Sequence, residues 1–162
     1  MLSETLLRKF DALIARYPLK RSAMIPLLLY AQDEVGHVSE EVIAEVARRV
    51  DVRPIEVVEV IGYYSMLRRQ PVGKHHVQVC TNISCMLRGS DELFEHCCKK
   101  LGIQAKQTTP DGLFSIEEVE CLGACTGAPA LQINYDYYEN ITPKKFDELI
   151  EELKKKEPRA KM

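Results

Sequence analysis

Four of the six cysteines in this 162-residue chain fall into two close pairs. Cys80 and Cys85 sit in VCTNISCMLRG with four residues between them, and Cys121 and Cys125 sit in VECLGACTGAP with three. Paired thiols at such distances can hold a metal or form a disulfide. Thiol exchange usually takes a pair with two intervening residues, and no such pair exists in this chain. A disulfide across Cys80 and Cys85 is sterically possible but reducible in a cytosol. Structural zinc accepts ligands two to four residues apart, most often two. A 2Fe-2S cluster is larger than one ion, so wider loops suit it, and a four-residue spacing occurs in plant-type ferredoxins. Spacing alone leaves zinc and 2Fe-2S both open.

The flanking residues favour the iron–sulfur option. Two ferric ions, two sulfides and four thiolates sum to a net negative core, which needs hydrogen-bond donors if it is partly shielded from water. Backbone N–H groups of TNIS and LGA can supply them, and Gly123 and Gly127 let the chain approach closely. Thr81, Asn82, Ser84 and Thr126 add side-chain donors, while Ile83, Met86, Leu87, Leu122, Ala124 and Pro129 can exclude water. Arg88 would raise the reduction potential somewhat. Cys97 and Cys98 are adjacent in a predicted helix, point about 100° apart and read as small buried hydrophobes. His75 and His76 precede the first pair as conceivable ligands of a mixed site, and His37 and His96 have no visible partner.

Each thiol pair must be positioned where a strand gives way to a loop. HHVQVCT, residues 75–81, alternates with Val77 and Val79 on one face and predicts a strand. Residues 90–101 predict a helix, with Ser90 as cap, Asp91 and Glu92 in the first turn, Lys99 and Lys100 in the last, and Gly102 after it. Residues 104–108 suggest a short strand, PDG at 110–112 a turn, and LFSIEEVE and ALQINYDYYE two further strands. Thr142 then caps a final helix with Pro143 at its first position and Phe146, Leu149, Ile150 and Leu153 along one stripe. A sheet with one face under two helices follows, which a thioredoxin-like α/β domain satisfies.

The residues before it read as a small helical bundle. Leu2, Leu6, Leu7, Phe10, Leu13, Ile14 and Tyr17 form a stripe that Pro18 ends. A second helix is predicted from a Ser22 cap, with Pro26 in its first turn, to Gly36. A third follows Ser39, with Val42, Ile43, Val46, Ala47 and Val50 on its apolar face, and a fourth opens at Pro54. RRQPVGK, residues 68–74, punctuates the chain. The predicted division is a helical domain over 1–72, a thioredoxin-like 2Fe-2S domain over 73–157 and a flexible basic tail over 158–162.

The net charge of −2 offers no basic face for nucleic acid. The N-terminus is too charged for a signal peptide, and no apolar run reaches the length of a membrane span. A cytoplasmic protein, meeting a membrane only through partners, is expected. No glycine-rich phosphate loop or dinucleotide fingerprint occurs, so nicotinamide and flavin are expected on another chain.

VQVCTNISCMLRGSDEL, SIEEVECLGACTGAPALQIN and DYYENITPKKFDELI resemble the E-type small-subunit family of bacterial NADH-quinone oxidoreductases, as do PLLLYAQDEVGHVSEE and PIEVVEVIGYYSML in the helical half. The resemblance covers nearly the whole chain. Gly62-Tyr63-Tyr64 replaces the family's usual Thr-Phe-Tyr, and Tyr135 stands where an acidic residue is common. The resemblance implies a thioredoxin-like fold and one 2Fe-2S cluster on Cys80, Cys85, Cys121 and Cys125. It implies a partner flavoprotein subunit that binds NADH and FMN, and other peripheral-arm subunits of respiratory complex I. It places the protein in the cytoplasm, peripheral to the inner membrane through that complex. The small subunits of NAD-linked hydrogenases and formate dehydrogenases look similar and give an alternative assignment; a zinc-stabilised interaction module is another.

Overall fold

The computed structural model describes residues 2–155, which form two compact units, one running through Pro71 and one starting at Val72. The expected tail over 158–162 lies outside the described residues.

The first unit holds four helices: α1 (Glu4–Ile14), α2 (Met24–Val35), α3 (Glu40–Val50) and α4 (Pro54–Tyr63). Ser3 starts α1 by accepting the Leu6 N–H at 3.1 Å, and Ser39 starts α3 by accepting that of Val42 at 3.3 Å. Gly36 ends α2 at φ 94°, as its position after the apolar run predicts. Ser22 does not cap α2. It lies in a 3-10 turn over Lys20–Ala23, so Ala23 precedes the helix and Pro26 stays within its first turn. The core joins Leu6 and Phe10 to Leu27, Leu28, Val42, Val46 and Val57. Gln32, buried on α2, donates to the Met66 carbonyl at 2.8 Å and accepts the Arg68 N–H at 2.7 Å. These bonds tie the segment after α4 to this unit and leave the buried amide satisfied.

The second unit holds β1 (His75–Cys80), α5 (Ile83–Met86), α6 (Ser90–Leu101), β2 (Gln107–Thr108), β3 (Phe114–Val119), β4 (Leu131–Ile133), β5 (Asp136–Tyr138) and α7 (Pro143–Lys155). The sheet order is β2-β3-β1-β4-β5. β1 and β3 run parallel, and the other neighbours are antiparallel. Val77, Val79, Ile116, Leu131 and Ile133 share one core with Leu93 and Cys97 of α6 and Phe146 and Ile150 of α7. One sheet face therefore lies under two helices, as the apolar periodicity demands.

Three local details depart from the sequence reading. Gly89, at φ 85°, precedes α6, so Ser90 is its first residue and is fully buried. The strand expected over 104–108 shrinks to two residues because Lys106 turns at φ 62° and Gln107 donates its N–H to the Gln104 carbonyl at 3.1 Å. ALQINYDYYE is a hairpin, with Ile133 paired to Asp136 and Asn134 at φ 57° in the turn.

Candidate metal centre

β1 ends at Cys80, and both edges of that strand end are occupied. The Cys80 N–H donates to the Ala130 carbonyl at 3.1 Å, and the next N–H, of Thr81, donates to the Val119 carbonyl at 3.2 Å. Val119 leads into Cys121, and Ala130 follows the Cys125 loop. Both cysteine-bearing loops thus leave the sheet at the same end.

The first loop closes through one helical turn, which spacing alone did not reveal. The Asn82 side chain accepts the Ile83 N–H at 2.8 Å, and α5 then delivers Cys85 back against Cys80. Asn at a cap position was the available signal. Its side-chain oxygen is thereby engaged in capping. The second loop is a bend followed by a 3-10 turn over Cys125–Gly127. It is pinned by the Asn140 N–H on the Gly127 carbonyl at 2.7 Å and the Ile141 N–H on the Pro129 carbonyl at 3.1 Å. The Ala128–Pro129 peptide is cis.

All six cysteines are free thiols. Cys80 and Cys85 are buried among Ala128 and Ala130, with Leu122 and Ala124 packed against them, whereas Cys121 and Cys125 are exposed. Burial pushes the Cys85 thiol up. The Ala130 N–H opposes this, and the hydrogen-bonded Cys80 thiol and the nearby charge of Cys125 reinforce it. The Gly123 N–H points to the Cys121 sulfur at 3.3 Å, one backbone donor of the kind expected from LGA. Gly123 is at φ 73° with open space around it, so backbone conformation is the reason for glycine there. Gly127 is instead crowded: a Cβ would run into the Glu139 side chain.

Leu122 and Ala124 shield the thiols as expected, but Ile83, Met86 and Leu87 face outward at 63%, 46% and 76% exposure. Among the described residues, no three His, Cys, Asp or Glu side chains are drawn tightly enough together to grip a single ion. The donor set nonetheless fits a 2Fe-2S core: two thiol pairs at one sheet end, a backbone N–H already on one sulfur, and apolar cover on one side.

The remaining candidates lie elsewhere. Cys97 is fully buried in the sheet–helix core, where desolvation raises its thiol strongly, and Cys98 is half-buried beside it. His75 packs its ring on Phe114 with centroids 5.2 Å apart. His76 lies between Ser115 and Glu117, at 2.8 Å from each. His96 pairs with Asp147 at 2.9 Å between α6 and α7. The His76 cluster was not foreseen; its only trace in the sequence is polar alternation in HHVQVC, with His76 and Gln78 on the face opposite Val77 and Val79. No helix among the described residues is long and apolar enough to cross a membrane.

The thioredoxin-like [2Fe-2S] ferredoxin family matches residues 10–154. One NADH-quinone oxidoreductase small chain of the E type, from Rhizobium meliloti (strain 1021), is 43% identical over 147 residues, covering 91% of this chain and 88% of that protein. The E-type chain of the Rickettsia typhi (strain ATCC VR-144 / Wilmington) NADH-quinone oxidoreductase is 46% identical over 147 residues, covering 88% and 85%. Among solved structures, an NAD+-reducing [NiFe]-hydrogenase in the H2-reduced state superposes with a TM-score of 0.73 at 21% identity. That match covers 84% of this chain and 23% of the hydrogenase chain, and shows a common fold. A family match across both units and relatives of near-equal length agree with the paired thiol loops: the chain belongs to the thioredoxin-like [2Fe-2S] ferredoxins, among the E-type subunits of NADH-quinone oxidoreductases.

Proposed function

We propose that this chain is an electron-transfer subunit that binds one 2Fe-2S cluster through Cys80, Cys85, Cys121 and Cys125. The cluster exchanges single electrons with the FMN of a partner flavoprotein that oxidises NADH. The observation that carries the ligand assignment is the parallel pairing of β1 with β3, which sends the Cys80 and Cys121 loops out of one sheet end. When bound, the cluster supplies a one-electron redox centre.

The protein's part is to hold four thiolates in place and temper their charge. The Gly123 N–H stabilises negative charge on Cys121, and Leu122 and Ala124 limit water at the buried pair. Substrate chemistry belongs to the partner. The helical domain, residues 1–72, serves as a docking element, and the assembled complex holds the protein at the cytoplasmic face of the membrane. The names of the relatives support membership of such a complex.

Anaerobic loading with iron and sulfide should give a red-brown protein with two irons, two labile sulfides and a 2Fe-2S EPR signal after reduction. One tightly bound zinc and no labile sulfide would identify a zinc module instead. Turnover of disulfide substrates by the isolated chain would identify a thiol oxidoreductase. Purification of the native complex should bring down an FMN-containing NADH-oxidising subunit; a hydrogenase subunit in its place would identify the alternative assembly.

A further inference from the structure

Gly127 is a glycine because of Glu139. It is buried in the Cys125–Gly127 turn and does not have a positive φ, so its backbone conformation is open to other residues. The three atoms nearest to a Cβ at this position are Cβ, Cδ and Oε2 of Glu139. The Glu139 side chain therefore lies over the Gly127 Cα, in space that any other residue would fill. Backbone pairing fixes it there. The Asn140 N–H donates to the Gly127 carbonyl at 2.7 Å, and the Ile141 N–H donates to the Pro129 carbonyl at 3.1 Å. Ile141 is buried in the sheet–helix core, so the chain leaving β5 is anchored beside the second thiol loop with Glu139 on the turn.

The protein does not neutralise this carboxylate. Among the described residues, no hydrogen bond or ion pair engages the Glu139 side chain. The first two lysines of α7 are committed elsewhere: Lys144 lies 4.0 Å from Glu148, and Lys145 Nζ donates to the Asn140 carbonyl at 3.0 Å. Cys125 and Thr126 are exposed, so the carboxylate sits at the open side of the thiol set, away from the apolar cover of Leu122 and Ala124. A turn that gives up a side chain to seat an unpaired negative group beside a ligand points to a demand of the site rather than of the fold.

We propose that Glu139 is a positioning residue for electron transfer: it holds a negative charge over the Cys125 turn and thereby lowers the midpoint potential of the centre. This rests on the cluster assignment above. No bond forms or breaks; one electron arrives from the partner's reduced flavin and leaves by the same route. The reduced centre carries one more negative charge than the oxidised one, so a fixed carboxylate nearby disfavours the electron and eases its return. Gly127 is two residues from Cys125, a chain span of at most about 7 Å. At about 10 Å, between the dielectric of water and an effective value near 20, one charge changes the reduction equilibrium roughly two- to twentyfold. Tenfold is about 59 mV for a one-electron couple.

Redox titration of the loaded protein, followed by EPR at fixed neutral pH, tests this on a charge series. Glu139→Gln keeps the shape over Gly127 and removes the charge, so its midpoint should be more positive than that of wild type, by roughly two- to twentyfold in the reduction constant. Glu139→Lys reverses the charge and should move the midpoint further in the same direction. Both gaps should narrow as ionic strength rises, because the carboxylate stands at an exposed edge where salt screens it. A midpoint equal to wild type in the variants, a shift to more negative values or a gap indifferent to salt overturns the proposal. If one variant fails to take up the cluster, the other decides by the same criteria. Absence of any 2Fe-2S signal from wild type would overturn the cluster assignment and this proposal together, whereas normal signals with unmoved midpoints overturn this proposal alone.

Discussion

Cys80 stands opposite Val119 on the last rung of the parallel ladder between β1 and β3. Parallel strands leave a sheet in the same direction, so the chain after Cys80 and the chain into Cys121 emerge side by side. Had the strands been antiparallel, the two loops would lie at opposite ends of the ladder. The antiparallel return of β4 completes the arrangement by bringing Ala130, just past the Cys125 loop, onto the Cys80 N–H. Three chain segments far apart in sequence thus converge through backbone pairing.

Replacing Cys80, Cys85, Cys121 or Cys125 by Ala should abolish or severely weaken the cluster, read as labile sulfide and EPR intensity. Cys97→Ala should leave that spectrum intact and cost about 1–2 kcal/mol of stability in urea titration, because it only opens a small void in the core. Cys98, half-exposed at the same helix, should cost less. Loss of the signal on changing Cys97 alone would show that the ligands are misassigned.

The thiol pairs, the helix stripes and the caps at Ser39 and Thr142 were legible because each depends on neighbours within one or two turns. Thr142 Oγ1 indeed accepts the Lys145 N–H at 3.3 Å, and Phe146 and Ile150 are buried as their spacing requires. What escaped depends on left-handed residues or on distant partners. A serine and a glycine can both begin a helix, and Gly89 at φ 85° displaced Ser90 from that role. Asn134 at φ 57° folded one expected strand into a hairpin. His76 looked like a stray ligand because Ser115 and Glu117 lie about forty positions away, joined to it only by the β1–β3 register. Ile83, Met86 and Leu87 have the composition of a shield yet face outward, since one turn of α5 directs Cys85, not them, toward the site.

Two glycines should respond oppositely to the same change. A Cβ on Gly73 would lie 2.5 Å from the Phe114 carbonyl carbon and 2.8 Å from the Ser115 nitrogen, both backbone atoms of β3. Gly73→Ala must therefore shift the lead-in to β1, at a cost of about 1–3 kcal/mol. Gly62 lies in α4 with nothing within 4 Å of a Cβ, so Gly62→Ala should stabilise by about 0.5–1 kcal/mol through lower unfolded-chain entropy. Denaturant midpoints at constant m-value measure both, and a neutral Gly73→Ala would contradict the close packing.

Acid sensitivity should begin above the range where carboxylates titrate. His75 is buried against Phe114, and desolvation, followed by the charge of Lys74, holds its proton affinity below that of a free imidazole; the Leu153 carbonyl works in the opposite direction. The unfolded chain, with an ordinary histidine near pH 6.5, takes up the proton first as pH falls. His75 therefore contributes stability that is fully present above about pH 6.5 and is lost below it as pH falls through the lower folded-state value. Carboxylates held low by their partners, such as Glu45 beside Arg48 and Glu56 on the Arg53 N–H, act in the same direction but only at more acid pH. His75→Phe, which keeps a ring against Phe114, should be less sensitive than wild type when urea unfolding at pH 5 is compared with pH 8. The other histidines remain in both proteins, so the difference between the two pH responses isolates His75; identical responses would show that its burial does not disfavour the charged ring.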